Sequence, residues 1–136
     1  MQKSLQSQLP FFPTIHWVDR TESTNGDLLS QARASSGQLI RPWLLGAHLQ
    51  DRGRGRAGRT WQNQRGANLM FSCAFDVFLP ARQLATLSPL AGVSACEALR
   101  AFLPIHEAPK LTMKWPNDLQ WHQAKLAGIL TEVTRA

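Results

Sequence analysis

Acidic residues and cysteines are scarce in this sequence. Nine Asp and Glu stand against fifteen Lys and Arg, a formal net charge of +6 at neutral pH. Such an imbalance favours anionic partners: nucleotides, nucleic acid, acidic protein faces or membrane surfaces. Charged residues reach only 18% while hydrophobic residues reach 43%, which excludes a disordered chain and fits a globular one. The two cysteines, Cys73 and Cys96, lie in apolar contexts without CxxC or metal-ligand spacing. That excludes a disulfide scaffold or a cysteine-built metal centre and leaves reduced core residues of a cytoplasmic protein. No stretch approaches the ~18 consecutive apolar residues of a membrane span. The first ten residues lack the apolar core of a signal peptide. No membrane contact is therefore expected. There is no internal repeat, and no low-complexity tract beyond one Arg-Gly segment.

At 136 residues the expectation is one domain. Residues 1–14 read as a loose leader without pattern, and residues 15–136 as the domain itself. Residues 15–19 (IHWVD) predict a strand. Ser23, Thr24 and Asn25 then cap a helix running to about Ala34, with Leu28, Leu29 and Ala32 towards the core and Ser35-Ser36-Gly37 as its end. Residues 43–49 (WLLGAHL) read as a buried strand, and residues 50–66, rich in Gly and Arg, as a loop. Residues 68–78 alternate as a strand does. Pro80 opens a helix over residues 81–102, with Leu84, Leu87, Ala91, Ala95 and Leu99 near one face and a kink or break at Pro89. Residues 111–115 form a strand and Pro116-Asn117-Asp118 a turn. A hairpin through Gln123-Ala124 leads into a strand over residues 125–133, read as central to its sheet. The order of elements, with hairpins, predicts an α+β sheet rather than a doubly wound one.

Four segments carry chemistry. The first is Gly53-Arg54-Gly55-Arg56-Ala57-Gly58-Arg59, within a stretch that also holds Arg52 and Arg65. Glycine lets a ligand approach backbone N–H groups, and arginine presents forked donors that match carboxylate or phosphate oxygens. Together they predict a flexible loop able to close on an anion, with Trp61 as its anchor in the core. An RNA-binding tract and a solvated basic loop remain open as alternatives. The segment is no Walker loop, because GxxxxGK[ST] is missing. The second is Lys114-Trp115-Pro116-Asn117-Asp118, a cation and two short polar side chains around a rigid turn. It could hold a ribose, a phosphate or Mg²⁺, or be an ordinary polar turn. In the third, Lys125 opens an apolar strand that contains Gly128, where a side chain would obstruct close approach. A half-buried Lys125 favours a carboxylate partner; a lysine reaching out to solvent is the alternative. The fourth, Glu22-Ser23-Thr24-Asn25, is a helix cap whose free N–H donors could also take a polar ligand group.

Taken together, these segments resemble the biotin protein ligase family. The resemblance rests on an STN segment (Ser23-Thr24-Asn25), Gln50 ahead of the GRGRxGR loop at residues 53–59, and Trp61. It continues through Gly66-Ala67-Asn68-Leu69, the KWPNDL turn at residues 114–119 and the KLAGIL strand at residues 125–130. Their order and spacing run from about residue 15 to 133. A lone RGRGR is weak evidence; the ordered set is specific.

The resemblance implies an α+β fold of the class II aminoacyl-tRNA synthetase/biotin ligase type. Its mixed, largely antiparallel sheet with flanking helices would be incomplete at the C-terminus. It implies activation of biotin by Mg-ATP to biotinyl-5′-AMP, then transfer to one lysine of the biotin carboxyl carrier protein of a carboxylase. By similarity Ser23, Thr24, Asn25, Gln50, Gly53, Arg54, Gly55, Arg56, Lys125 and Gly128 would bind biotin. Arg54, Arg56, Arg59, Trp61, Lys114, Asn117, Asp118 and Lys125 would line the nucleotide. Arg54, Arg56, Lys125 and Asp118 would act in catalysis, Asp118 by assisting the incoming carrier lysine. No protein-bound metal site is expected beyond the Mg²⁺ that accompanies ATP.

Family members with a repressor role carry an N-terminal helix-turn-helix domain, and residues 1–14 leave no room for one, so no DNA-binding domain is expected. The family's catalytic domain continues past the KLAGIL strand and ends in a small barrel. The chain is therefore expected to be a C-terminally truncated fragment of doubtful activity, with a homodimer of the full-length protein left open. The alternatives are a lipoate–protein ligase-like acyltransferase, an Arg-Gly nucleic-acid-binding module, or a folded inactive remnant. The module would need exposed aromatics interleaved with its positive charge, and these are missing.

Overall fold

The computed structural model describes residues 2–34 and 40–135. The chain divides into two compact units, Met1–Val77 with Glu132–Ala136, and Phe78–Thr131.

In the first unit, α1 (Gln2–Gln8) packs on β1 (Thr14–Val18). A patternless leader was expected there. Its helix is polar apart from Leu5, so contact with β1 rather than an amphipathic stripe accounts for it. Strands β1, β2 (Trp43–Ala47) and β3 (Met70–Ala74) form a sheet in that order, β1 parallel and β2–β3 antiparallel. All five residues of the central strand β2 are buried, which is why WLLGA reads as an unbroken apolar run. Helix α2 (Thr24–Ala34) lies on β2 and β3 and contributes Leu28 to a core with Trp43 and Leu45, flanked by Val18 and Ala74. Leu28 is buried, whereas Leu29 and Ala32 are half-buried. Ser23 caps α2: its Oγ accepts from the Gly26 N–H at 3.3 Å, and Asp27 in the first turn and Arg33 in the last suit the helix dipole. The expected helix end at Ser35-Ser36-Gly37 lies outside the described residues.

Strand β3 is shorter than residues 68–78. It stops at Ala74, opposite Trp43, where β2 offers no further partner, and Phe75 and Phe78 are exposed. Gly46 sits beside Trp17 in the β1–β2 register; a Cβ built on Gly46 would lie 2.2 Å from Trp17 Cε3. Cys73 and Cys96 are both free thiols, and burial pushes the Cys73 thiol up to about 11.

In the second unit, a 3-10 turn Ala81–Thr86 precedes α3 (Leu87–Arg100). The single helix over residues 81–102 is thus corrected. The break falls at Thr86/Leu87, and Pro89 occupies the first turn of α3, where its missing N–H has no partner to lose. The buried face of α3 centres on Gly92 and Cys96; Leu87, Ala91 and Ala95 are half-buried and Leu99 is exposed. Gly92 lets the helix approach Met113 closely. Arg100 ties the helix end to the next strand, donating from Nε and Nη2 to the Leu111 carbonyl at 2.9 and 2.7 Å.

Strands β4 (Leu111–Lys114), β5 (Asp118–Trp121) and β6 (Ala124–Gly128) form an antiparallel meander in that order. Its core is Cys96, Leu111 and Leu119, packed by Ala95, Leu103, Met113, Trp121 and Ala127. The β4–β5 turn is Trp115-Pro116-Asn117, so Asp118 opens β5 instead of belonging to the turn. The β5–β6 turn is His122-Gln123, both at positive φ (48° and 69°), as a tight type I′ hairpin requires. The last strand ends at Gly128 rather than at residue 133, and it is an edge strand, not a central one. Asn117 explains the ending. Its carbonyl accepts from the Ile129 N–H at 2.9 Å and its side chain donates to the Ile129 carbonyl at 2.8 Å, replacing the ladder just past the first residue of β5. The fold is α+β, with three of the four strand pairings antiparallel among the described residues, in two three-stranded sheets rather than one.

Candidate functional site

The first unit gathers Ser23, Thr24, Asn25, Gln50 and Arg54 around the N-terminus of α2. Residues just before the helix pair with the start of the Arg-Gly segment: Thr21 N–H donates to Leu49 O, Asp51 N–H to Thr21 O, and Arg52 N–H to Glu22 O, at 2.9–3.0 Å. This short pairing brings Gln50 to Thr24. The Gln50 Oε1 accepts from the Thr24 backbone N–H at 2.8 Å and from its hydroxyl at 3.2 Å. Asn63 fixes Gln50 in turn, its Oδ1 accepting from the Gln50 N–H and its Nδ2 donating to the Gln50 carbonyl. Thr24 Oγ1 lies 2.7 Å from Ser72 Oγ on β3, and Ser72 Oγ donates to Asn25 Oδ1. Asn25 Nδ2 donates to Glu132 Oε2 at 3.0 Å, and Arg54 Nη2 donates to the same oxygen at 3.0 Å. One continuous chain of polar contacts therefore runs Gln50–Thr24–Ser72–Asn25–Glu132–Arg54. Ser23 and Thr24 are buried, 8% and 3% exposed, so this network sits where unmet polar groups are costly.

The Arg-Gly segment is more ordered than a flexible loop. Gly55 N–H donates to Arg59 O and Trp61 N–H to Gly53 O, each at 2.7 Å, closing a small hairpin around the 3-10 turn Arg56–Gly58. Ala57 and Gly58 take positive φ at its tip. A Cβ on Gly53 would come within 3.0 Å of the Trp61 carbonyl, so Gly53 is needed for this closure. Trp61 is half-buried, and its backbone pairing with Gly53 ties down the base of the loop. Gly53 is buried and Gly55 half-buried, while Arg54, Arg56 and Arg59 are exposed. Arg65 does a different job. It grips Asp19 through both Nη atoms at 2.5 and 2.6 Å and holds that carboxyl below the usual carboxylate range.

In the second unit, Lys114, Asp118 and Gly128 share one register line at the end of the meander. Lys125 Nζ lies 2.9 Å from Asp118 Oδ2, the two side chains 48% and 25% exposed. The carboxylate partner expected for Lys125 is thus within the chain, on the neighbouring strand. Asn117 is committed to Ile129 and to shaping the turn. Trp115 is 75% exposed. Among the described residues no group of three or more His, Cys, Asp or Glu side chains is placed to hold a metal ion. Nor is any helix there long and apolar enough to cross a membrane.

Sequence reasoning missed Ser72, Asn63 and Glu132. Ser72 left a signal, one hydroxyl in the apolar run MFSCA. Glu132 left none, because its partners are 107 and 78 residues away.

The model of the Biotin/lipoate A/B protein ligase family matches residues 17–136. The chain belongs to the biotin/lipoate A/B protein ligase family. Similarity to individual members follows the same line. Over 119 residues it is 39% identical to the biotin–[acetyl-CoA-carboxylase] ligase of Mycobacterium tuberculosis, covering 87% of this chain and 44% of the relative. Over 113 residues it is 38% identical to the bifunctional ligase/repressor BirA of Escherichia coli, covering 83% and 33%. Among solved structures, the biotin protein ligase of Leishmania major in complex with biotinyl-5-AMP superposes with a TM-score of 0.72 at 26% identity, over 90% of this chain and 53% of that one. The Aquifex aeolicus biotin protein ligase in complex with biotin and ATP superposes with a TM-score of 0.63 at 30% identity, over 91% and 48%. This family member spans less than half the length of these two curated relatives.

Proposed function

We propose that this chain carries the biotin- and nucleotide-handling segment of a biotin protein ligase. The supporting observation is the polar chain from Gln50 through Thr24 and Asn25 to Arg54. The amide and hydroxyl groups of that network suit biotin's polar ring, and the arginine joined to it through Glu132 suits its carboxylate, which supports this reading. The relatives named as biotin ligases, and the neighbours holding biotin, ATP or biotinyl-5-AMP, support the same reading. The residue roles are part of the proposal, as are the division into a leader (residues 1–14) and a catalytic segment (residues 15–136) and the cytoplasmic setting.

The reaction joins two anions. A biotin carboxylate oxygen attacks the α-phosphorus of ATP, a new P–O bond forms, and pyrophosphate leaves with the electron pair of the broken bond. The amine of a carrier lysine then attacks the acyl carbon of biotinyl-5′-AMP, AMP leaves, and an amide results. Positioning and charge neutralisation supply most of the catalysis such a reaction needs. Ser23, Thr24, Asn25 and Gln50 hold biotin's polar ring, with Gly53, Gly55 and Gly128 allowing close approach. Arg54 and Arg56 meet the carboxylate and the adenylate phosphate. Lys125, held by Asp118, offsets charge developing at phosphorus. Arg59, Trp61, Lys114 and Asn117 line the nucleotide, and Mg²⁺ arrives with ATP as part of the substrate. Asp118 assists the carrier lysine, and the protein partner is the biotin carboxyl carrier protein of a carboxylase.

The test is exchange of labelled pyrophosphate into ATP. Exchange that requires biotin and is not supported by lipoate is expected. Exchange driven by lipoate in place of biotin would move the assignment to the lipoate-ligase side of the family.

A further inference from the structure

We infer that Ser72 is a positioning residue for Thr24: from β3 it takes up the Thr24 hydroxyl proton, so that Thr24 Oγ1 meets a ligand as an acceptor and selects a ligand N–H. The inference rests on the reading of Thr24 as a residue that faces biotin's ring. It assigns a role to a residue that belongs to none of the motifs carrying the resemblance.

Ser72 stands opposite Leu45 in the β2–β3 register, and Leu45 shares a core with Leu28 of α2. Paired residues of neighbouring strands lie on one face of the sheet, so Ser72 takes a core-facing position where an apolar residue is the usual choice. A hydroxyl there costs free energy unless its hydrogen bonds are met. Ser72 meets them on α2: its Oγ lies 2.7 Å from Thr24 Oγ1 and donates to Asn25 Oδ1. Thr24 is only 3% exposed, so water competes little for its hydroxyl. Counting protons gives the direction of the chain. A hydroxyl carries one proton, and an amide oxygen only accepts. The Ser72 proton is spent on Asn25 Oδ1, so the contact between the two hydroxyls needs the proton of Thr24. Gln50 Oε1, 3.2 Å from the same hydroxyl, keeps the Thr24 backbone N–H at 2.8 Å as its donor. Donation therefore runs from Thr24 to Ser72 to Asn25, and Thr24 Oγ1 is left with lone pairs alone. Such an oxygen suits a ureido N–H and repels a ligand oxygen. Asn63 holds the Gln50 backbone at both its N–H and its carbonyl, so that side of the site is fixed without Ser72.

The experiment measures the Kd of wild type, Ser72→Ala and Ser72→Thr for biotin and for its two cyclic carbamate analogues, in each of which a ring oxygen replaces one ureido N–H. Spectra of the ¹⁵N-labelled side-chain amides, recorded without ligand, accompany it. The wild-type chain is expected to prefer biotin over one of the carbamates by roughly 10²-fold or more, because there an acceptor would face an acceptor. Ser72→Ala frees the Thr24 proton to donate to the analogue's oxygen, and the preference should shrink about tenfold. Ser72→Thr keeps the hydroxyl and should restore it. Without ligand, Ser72→Ala should shift the Gln50 side-chain amide, since the released proton turns to Gln50 Oε1. A preference unchanged in Ser72→Ala overturns the inference, and so does a Gln50 amide that stays in place. Equal weakening of biotin and both carbamates also overturns it, since that marks a general loosening between α2 and β3. The failure of the biotin reading is separate: if the wild-type chain binds no biotin while the Gln50 amide shifts as stated, the order of donation stands and Thr24 selects the N–H of another ligand.

Discussion

On the proposed reading of the site, replacing Lys125 by Ala is expected to slow formation of biotinyl-5′-AMP by roughly 10²–10³-fold, the usual cost of removing a preorganised group that faces developing charge. Lys125 lies on β6 within 2.9 Å of Asp118 on β5, and both side chains are partly covered. The carboxylate fixes the ammonium in place without burying it, so its position is set before a ligand binds. An interaction that strengthens only as charge grows at phosphorus lowers the rate and leaves ground-state binding largely alone. Biotin affinity in Lys125→Ala should therefore fall much less than the rate. Lys125→Arg keeps the charge but not the compact geometry and should recover part of the loss. Single-turnover formation of labelled adenylate measures this. A rate within tenfold of wild type in Lys125→Ala would show that Lys125 serves the strand and not the reaction.

Gly46→Ala is expected to destabilise the first unit by about 3 kcal/mol, at the upper end for overpacking a close-packed site. The added Cβ would lie 2.2, 2.3 and 2.6 Å from Trp17 Cε3, Cζ3 and Cδ2. Those atoms belong to a rigid ring laid across the central strand, so relief requires moving the indole or parting β1 from β2. Gly92→Ala makes a useful contrast. Its Cβ would meet Met113 Cε at 2.7 Å, the far end of a flexible thioether, and alanine is the better helix former. That change should cost under about 1 kcal/mol. Urea unfolding followed by tryptophan fluorescence compares the two. Equal effects would mean that the Trp17 ring yields as easily as the methionine.

The parts that were legible in the sequence are those specified by neighbours along the chain. The run WLLGA announces a strand with no exposed face, and β2 is that strand. Ser23 next to Thr24 announces a helix start, and the Ser23 hydroxyl caps α2. That Lys125 meets a carboxylate of its own chain, Asp118, follows from the β5–β6 register and not from the sequence around either residue. What escaped depends on contacts remote in sequence. The helix α1 has no pattern of its own and depends on β1. Strand β6 looks apolar well past Gly128, yet it ends where Asn117 takes over its hydrogen bonds. Pro89 reads as a helix breaker by type but sits in a first turn by position. Glu132 meets Asn25 and Arg54 only through contacts that span 107 and 78 residues of sequence.

The central claim is that this chain holds a biotin site built on α2 and the Arg-Gly loop. Calorimetric titration with biotin tests it most directly, with lipoate as the control, Arg54→Ala alongside, and circular dichroism to establish that each protein is folded. The account predicts saturable biotin binding, no comparable binding of lipoate, and weaker binding by about tenfold or more in Arg54→Ala. A folded wild-type chain that binds no biotin, or that binds it equally well without Arg54, would contradict it.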